Sequence, residues 1–194
     1  MRTLRPFLPL AVVASTLAAC GSQGATKPAP SASASAASSP FDDLKDTDKL
    51  LMGRWGQLVL AQDFSNDDSL TPNDWPAFTA DVTSARRGEG GETEGRVLVG
   101  HEDAPGTETP EPDLKHFVGS DVKAMACPHL TTTTTDLVLK SDIKAKVLCA
   151  HGSFGDGIVA TARKSGRVVH FVCAELAPDG VGRCVGYLKT LAPG

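Results

Sequence analysis

One candidate for covalent chemistry is Ser153, which lies in the string His151-Gly-Ser-Phe-Gly155. This string matches part of the Gly-x-Ser-x-Gly turn, in which glycines let a strand reverse sharply and expose a nucleophilic serine. His151 stands where the first glycine is required, and no helical pattern follows the serine. The segment is therefore predicted to be a hairpin loop, and a small hydrolase is kept as the alternative function.

A cation site is the second chemical possibility. Asp63, Ser65, Asp67 and Asp74 fall at positions 1, 3, 5 and 12 of a calcium-loop frame. Asp68 replaces the glycine that the sharp turn of such a loop needs, and an aspartate at the last position reaches less far than the usual glutamate. An acidic turn that caps the following helix is the better interpretation. No metal site, cofactor or catalytic residue is predicted.

Four of the five cysteines are predicted to form two disulfides. No two cysteines are closer than eleven positions, whereas zinc ligands come in short pairs such as Cys-x-x-Cys. The turn Ala177-Pro-Asp-Gly180 folds the chain so that Cys173 lies opposite Cys184 on a paired strand. The pair Cys127–Cys149 then follows by elimination.

The N-terminus has the pattern of an export signal. Arg2 and Arg5 precede an apolar stretch of about 13 residues, shorter than the ~20 that cross a bilayer as a helix. The stretch ends in Leu17-Ala-Ala-Cys20, which resembles the lipobox of bacterial lipoproteins. The resemblance covers residues 17–20 only. It implies that residues 1–19 are a signal peptide and that Cys20 is lipidated and anchors the mature protein in a membrane of the cell envelope.

The residues after Cys20 extend this interpretation. Gly21 stands where an aspartate retains such lipoproteins at the inner membrane, so the resemblance implies an outer-membrane anchor facing the periplasm in a double-membrane source. Residues 20–40 are rich in Ala, Ser and Pro and hold one charge, Lys27. Such a segment cannot bury enough apolar surface to fold, so a flexible tether is predicted. Residues 41–194 are predicted to be one globular extracytoplasmic domain.

The domain is predicted to have an α+β fold, in which one or two N-terminal helices pack on a C-terminal antiparallel β-meander stapled by the disulfides. Phe41–Asp63 is expected to hold a short helix and then a strand, and Asp74–Arg87 a helix. Arg96–His101 has strand character, and Glu102–Asp113 is an acidic, proline-rich loop. The four to five predicted meander strands are Thr134–Lys140, Lys144–Ala150, Gly157–Arg163, Arg167–Ala174 and Gly182–Thr190.

The turns of the meander define a register with two faces. Loop centres at Ser153-Phe154, Ser165-Gly166 and Pro178-Asp179, with a side-chain period of two, give one uncharged face that should pack on the helices. The uncharged face contains Val147, Cys149, Ile158, Ala160, Ala162, Val169, Phe171, Cys173, Cys184, Gly186 and Leu188. The other face is mixed and is the predicted partner-binding surface. Its predicted binding residues are Lys144, Lys146, Arg163, His170, Arg183 and Tyr187.

The distribution of charge leaves an alternative open for the mixed face. Residues 41–121 have 18 acidic and 7 basic side chains, whereas residues 122–194 have 5 and 9. The acidic half could therefore cover the basic face within one fold, or that face could be plain solvated surface. The excess of carboxylates argues against nucleic acid as a partner.

The function predicted from these patterns is that of a lipid-anchored, non-enzymatic envelope protein. It would bind another protein or an anionic envelope component, as an assembly factor, an inhibitor or an immunity protein. The alternative is a small hydrolase acting on the envelope, which would need a convergent group of acid, base and nucleophile.

Overall fold

The computed structural model describes residues 45–46, 48–67, 80–88, 92–128 and 134–194, which form a mainly β fold. Its strands are β1 Asp48–Gly53, β2 Gly56–Ala61, β3 Ser65–Asn66, β4 Ala80–Arg87, β5 Gly95–Asp103, β6 Lys123–Ala124, β7 Thr134–Val138, β8 Lys144–Gly152, β9 Gly155–Lys164, β10 Arg167–Glu175 and β11 Ala192–Pro193. They make two antiparallel sheets, a small one in the order β1-β2-β11 and a large one in the order β3-β4-β5-β10-β9-β8-β6, with β7 also paired with β8. Within these residues there is one α-helix, α1, Gly180–Lys189.

The two hairpins that join β8, β9 and β10 have the predicted registers. Gly152 pairs with Gly155 across the first turn, and Lys164 pairs with Arg167 across the second. In the first turn Gly155 has a backbone φ of +96°, a conformation that glycine adopts without steric penalty. The registers place the uncharged residues of these three strands on one face of the large sheet, as predicted.

The prediction of a strand at Gly182–Thr190 is wrong, because α1 occupies this segment. Val181, Cys184, Val185 and Leu188 are buried, and their i, i+3, i+4, i+7 spacing is that of one helix face. Cys184 and Leu188 also fit a period of two, so the local pattern is compatible with either element. Packing of the apolar stripe on the large sheet selects the helix.

The predicted N-terminal helices are also wrong within the described residues, so the α+β class is corrected to mainly β. Before Asp63, β2 corresponds to the expected strand, whereas β1 stands where the short helix was predicted. Of the helix predicted over Asp74–Arg87, residues 74–79 lie outside the described part of the chain and Ala80–Arg87 is β4. Val82 and Thr83 are β-branched and favour a strand, and pairing with β5 supplies the backbone hydrogen bonds.

The main core lies between the uncharged face of the large sheet, α1 and the small sheet. Trp55 is fully buried there, and its Nε1 donates a hydrogen bond to the Thr83 hydroxyl at 2.9 Å. The large sheet contributes Val97, Val99, Val147, Ile158, Ala160, Ala162, Val169 and Phe171. Burial of an aliphatic side chain stabilises a fold by roughly 1.5–3 kcal/mol, so this layer contributes strongly to stability.

Both predicted disulfides are present. Cys127–Cys149 connects the segment after β6 to β8, with a Cα–Cα distance of 5.2 Å. Cys173–Cys184 connects β10 to α1, with a Cα–Cα distance of 5.5 Å. The pairing of the four cysteines is confirmed. The expected reason for it is wrong, because Cys173–Cys184 joins a strand to a helix and not two paired strands.

The second face of the large sheet is covered by residues 104–122, which we call the strap. The strap includes the 3-10 turn Leu114–His116 and packs Phe117 against a second, smaller apolar layer. The sheet residues of this layer are Leu98, Ala150, Val159, Val172 and Ala174. The loop predicted over Glu102–Asp113 therefore lies on the sheet, and β5 extends into its first two residues.

Among the residues described, no helix has the length and apolar character that crossing a membrane requires.

Candidate functional site

The six predicted partner-binding residues lie on two different sides of the large sheet. Lys144, Lys146, Arg163 and His170 are on the strands whose second face carries the strap. Arg183 and Tyr187 are on α1, which packs on the opposite face. The six residues therefore do not form one surface, because the segment predicted as their fourth strand is a helix.

Contacts with the strap involve three of the four strand residues, beginning with Arg163. Its guanidinium donates to three strap carbonyls: Nε to Glu108 at 2.6 Å, and Nη1 to Ala104 at 2.6 Å and Gly106 at 3.1 Å. Lys146 Nζ forms an ion pair with Glu111 at 2.5 Å. Carboxylate and carbonyl groups of the strap thus pair with these cations. This is the alternative in which the acidic half of the chain covers the mixed face.

His170 lies beneath the strap and is 5% exposed. Its Nε2 is 3.2 Å from a carboxylate oxygen of Glu102, and its ring contacts the ring of His116 edge to face, with centroids 5.5 Å apart. Burial lowers the pKa of His170 to about 4, although Glu102 opposes this shift. Burial also lowers the pKa of His116. Two neutral imidazoles are therefore packed between the strap and the sheet near neutral pH.

An open groove lies beside α1 and contains the other two predicted residues. Its volume is about 570 Å³, and it is lined by Ala61, Gln62, Asp63, Arg87, Arg183 and Tyr187. Arg183 and Tyr187 are four residues apart on the helix, so they project from the same helix face and form one wall. The turn after β2 forms the other wall, and Arg87 lies between them. We call this site the α1 groove.

Arg87 is held in place by a buried ion pair. Its Nη2 contacts the carboxylate of Glu175, whose side chain is fully buried. Two further carboxylates approach its Nε, Asp63 at 3.7 Å and Glu94 at 3.9 Å. The guanidinium also lies over the ring of Phe64, 5.8 Å from the centroid. With a side chain that is 10% exposed and contacts on every side, Arg87 is a fixed part of the groove.

A glycine between the two partners makes this ion pair possible. Gly95 of β5 pairs with Arg87 on one side and with Glu175 on the other. A Cβ atom at Gly95 would lie 2.9 Å from the carboxyl carbon of Glu175. The side chains of two strands that are not neighbours therefore meet across a position that has no side chain of its own.

Several polar groups of the site have no hydrogen-bond partner among the described residues. They include Nε of Arg87 and Oε1 of Glu175, both buried. Burial raises the pKa of the Glu175 carboxyl, whereas Arg87 and Arg183 lower it. Burial also raises the pKa of Tyr187, so its hydroxyl is protonated at neutral pH. The unpaired atoms of Arg87 and Glu175 are enclosed by the protein, so only the exposed groups of the groove can meet a ligand.

The candidate nucleophile Ser153 has a structural contact. It lies in the turn between β8 and β9, where its hydroxyl accepts the backbone N–H of Ser120 at 2.9 Å. The N–H of Ser153 donates in return to the carbonyl of Ser120 at 3.0 Å. Nearby, His151 Nδ1 is 2.6 Å from a carboxylate oxygen of Asp156. Ser153 therefore fixes the end of the strap to the hairpin.

The candidate calcium residues do not converge on one point. Asp63 lines the α1 groove beside Arg87, whereas Asp67 is buried and forms an ion pair with Arg96 at 3.3 Å. The Ser65 hydroxyl donates to the carbonyl of Arg86 at 3.3 Å. Asp74 lies outside the described residues, as does the lipidation candidate Cys20.

The sequence interpretation missed Arg87 and Glu175. Glu175 continues the uncharged face by one step of two after Cys173, so the predicted register places a carboxylate at the end of a buried row. A buried carboxylate needs a cationic partner, and from this requirement the sequence could have predicted that Glu175 pairs with a cation. Arg87 could not be identified as that partner, because its segment was predicted to be a helix.

A comparison with protein-family models and with curated proteins finds no match to this chain.

Proposed function

We propose that this protein is a lipid-anchored binding protein of the cell envelope and that the α1 groove is its binding site. The anchor is the Cys20 lipid, and the tether at residues 20–40 lets the domain reach a partner away from the membrane surface. Two buried disulfides in the domain support an oxidising, extracytoplasmic location. An outer-membrane position facing the periplasm fits Gly21 if the source has two membranes.

One observation carries the assignment of the groove. Arg183 and Tyr187, which project from one face of α1, share an open groove with a buried arginine whose position is fixed by Glu175. Fixed side chains lose little conformational entropy when a ligand binds, and arginine and tyrosine are enriched at binding hot spots. The Cys173–Cys184 disulfide ties this helix to the sheet, so the groove wall is held as well.

The membrane part of the proposal is tested with Cys20→Ser. Two or three acyl chains on Cys20 anchor a protein stably, so the wild type is expected in the membrane fraction and the variant in the soluble fraction. Mass spectrometry should find the lipid on the wild type alone. A lipid-modified Cys20→Ser protein would contradict the assignment.

The binding part is tested with a photo-crosslinking side chain at Gln62, a groove position on the wall opposite α1. Adducts formed in intact cells should disappear when Arg183→Glu is added. Arg167→Glu is the matched control, since Arg167 is exposed to a similar degree and pairs with Asp103 on another part of the large sheet. Equal adduct yields with Arg183→Glu and Arg167→Glu would show that the groove is not the binding site.

A further inference from the structure

The two walls of the α1 groove carry opposite charges. Arg183 projects from α1 with a side chain that is 46% exposed, and Asp63 lies on the turn after β2 with a side chain that is 56% exposed. Both line the same groove. Arg183 lies 3.9 Å from Glu175 and Asp63 lies 3.7 Å from Arg87, distances too long for direct hydrogen bonds. Each wall therefore has a charge that a ligand can reach.

The charged groups of the groove are matched more fully by a ligand with both signs of charge than by one with a single charge. The cluster contains two arginines and the three carboxylates of Asp63, Glu94 and Glu175. A simple anion near Arg183 would be repelled by the surplus of carboxylates. A simple cation would find Asp63 already within 3.7 Å of Arg87 and would leave the exposed Arg183 without a counter-charge. A molecule with one positive and one negative group meets an opposite charge on each wall.

The remaining groups of the groove suit the same type of molecule. Tyr187 lines the groove beside Arg183, and its hydroxyl can donate a hydrogen bond to a carboxylate bound there. The tyrosine ring packs edge to face on Phe64, with centroids 5.6 Å apart, so one wall is partly aromatic. A volume of about 570 Å³ holds an amino acid or a dipeptide.

We infer that the α1 groove binds a zwitterionic amino acid or short peptide, with its carboxylate at Arg183 and Tyr187 and its ammonium group at Asp63. The inference rests on the proposed function, because it names the ligand class of the same groove. In a free amino acid the ammonium and carboxylate groups are bonded to the same carbon, whereas in a peptide they lie at the two ends. The two sources share one chemistry and are separated by the choice of probe.

The test uses full-length lipidated protein in detergent micelles, labelled with ¹⁵N-arginine. Leucine and alanylalanine are the two zwitterionic probes, and the NMR signal of Arg183 Nε–H reports binding. The matched probes are 3-methylbutylamine, which is leucine without its carboxylate, and 4-methylpentanoate, which is leucine without its ammonium group. At least one zwitterion should shift the Arg183 signal saturably, and both single-charge probes should bind at least tenfold more weakly. A stronger response to alanylalanine than to leucine identifies a peptide as the ligand.

Two variants separate the ends of the ligand. Arg183→Gln and Asp63→Asn are each expected to weaken binding at least tenfold. Because Arg183→Gln removes the Arg183 signal, binding to that variant is measured from the Arg87 signal. Arg167→Gln and Asp103→Asn, which alter the exposed pair at the opposite end of β5 and β10, should leave binding unchanged. Circular dichroism shows whether each variant is folded.

Two results would overturn the inference. The first is binding of 4-methylpentanoate or 3-methylbutylamine as tight as that of the tighter zwitterion, which would make the groove a plain anion or cation site. The second is an unshifted Arg183 signal with every probe. If the signal is unshifted while Gln62 adducts still depend on Arg183, the ligand class is wrong and the proposed binding function stands. If leucine or the dipeptide binds but Cys20→Ser stays lipidated, the anchor is wrong and the ligand class stands.

Discussion

Arg87 and Glu175 form a buried ion pair beside α1 although 88 residues separate them in the chain. They end β4 and β10, and the two strands are brought together because each pairs with β5 at Gly95. The pair lies at the edge of the α1 groove, and Arg87 lines it. Stability of the fold and shape of the candidate binding site therefore depend on the same contact.

Removing Arg87 should destabilise the protein strongly. Arg87→Met leaves the Glu175 carboxylate buried without its ion-pair partner, and such changes cost about 3–5 kcal/mol. Adding Glu175→Leu should recover at least half of the loss, because an apolar pair has no charge to desolvate. Urea unfolding measures both free energies.

The control for this experiment is Arg167→Met at the exposed pair with Asp103, where a loss below about 1 kcal/mol is expected. The burial that raises the pKa of Glu175 also predicts that Arg87→Met is less harmful at pH 5 than at pH 7, because protonation removes the unpaired charge. A loss in Arg87→Met no larger than in Arg167→Met would contradict a stabilising role for the ion pair.

Gly95→Ala tests the position across which the pair forms. The added Cβ would approach the Glu175 carboxyl carbon to 2.9 Å, so the carboxylate must move away from Arg87. A loss of about 1–3 kcal/mol is expected, as for other overpacked sites. Gly186→Ala is the matched control, since nothing lies within 4 Å of a Cβ there. Unfolding free energies that change equally in both variants would show that Gly95 is not required for this reason.

Acid should weaken the fold through the two histidines beneath the strap. The pKa of His170 is lowered from 6.5 to about 4 and that of His116 is also lowered, so the folded state binds protons less readily than the unfolded state. Stability is therefore unaffected by these groups above about pH 6.5 and falls as the pH drops toward 4. For His170 alone the full loss is roughly 3 kcal/mol, at 1.36 kcal/mol per pKa unit.

The His170→Gln/His116→Gln variant is the measurement that isolates this effect. Its unfolding free energy should depend less on pH between 6.5 and 4 than that of the wild type. The other charged groups near the imidazoles are Glu102 beside His170, and Asp113 and Lys115 beside His116, and all three are retained in the variant. An unchanged pH dependence would mean that other groups cause the acid sensitivity.

Arg163 should control how tightly the strap is held. Arg163→Ala removes three hydrogen bonds to strap carbonyls, each worth about 0.5–1.5 kcal/mol. Hydrogen exchange of residues 104–111 should become faster, whereas β9 and β10 should stay protected. Arg86→Ala, at an exposed position of β4, is the control. If exchange in the strap is as slow as in the wild type, its apolar contacts through Phe117 are sufficient to hold it.

The sequence by itself determined the hairpins of β8, β9 and β10. The pairing of the four cysteines was predicted correctly, but from a strand register that is wrong, because Cys184 lies on α1. Hairpin register depends on the turn residues and on the alternation of side chains within about ten residues, so it can be derived locally. The resemblance of the Leu17–Cys20 string to a lipobox is also local, because a lipobox is recognised as a short stretch of sequence. The lipid anchor inferred from it stays a prediction, because those residues lie outside the described part of the chain.

Only the tertiary structure decided the elements whose local pattern is ambiguous. The apolar residues of 180–189 fit a strand by a period of two and a helix by the i, i+3, i+4, i+7 spacing. The segment is a helix because this form packs its apolar stripe on the large sheet. The helix prediction over β4 failed for a related reason, since pairing with β5 outweighs local propensity. The α1 groove depends on both corrections, because its walls and floor come from the turn after β2, the end of β4 and α1. Contacts between segments this far apart in the chain are set by packing of the whole core, which no short stretch of sequence encodes.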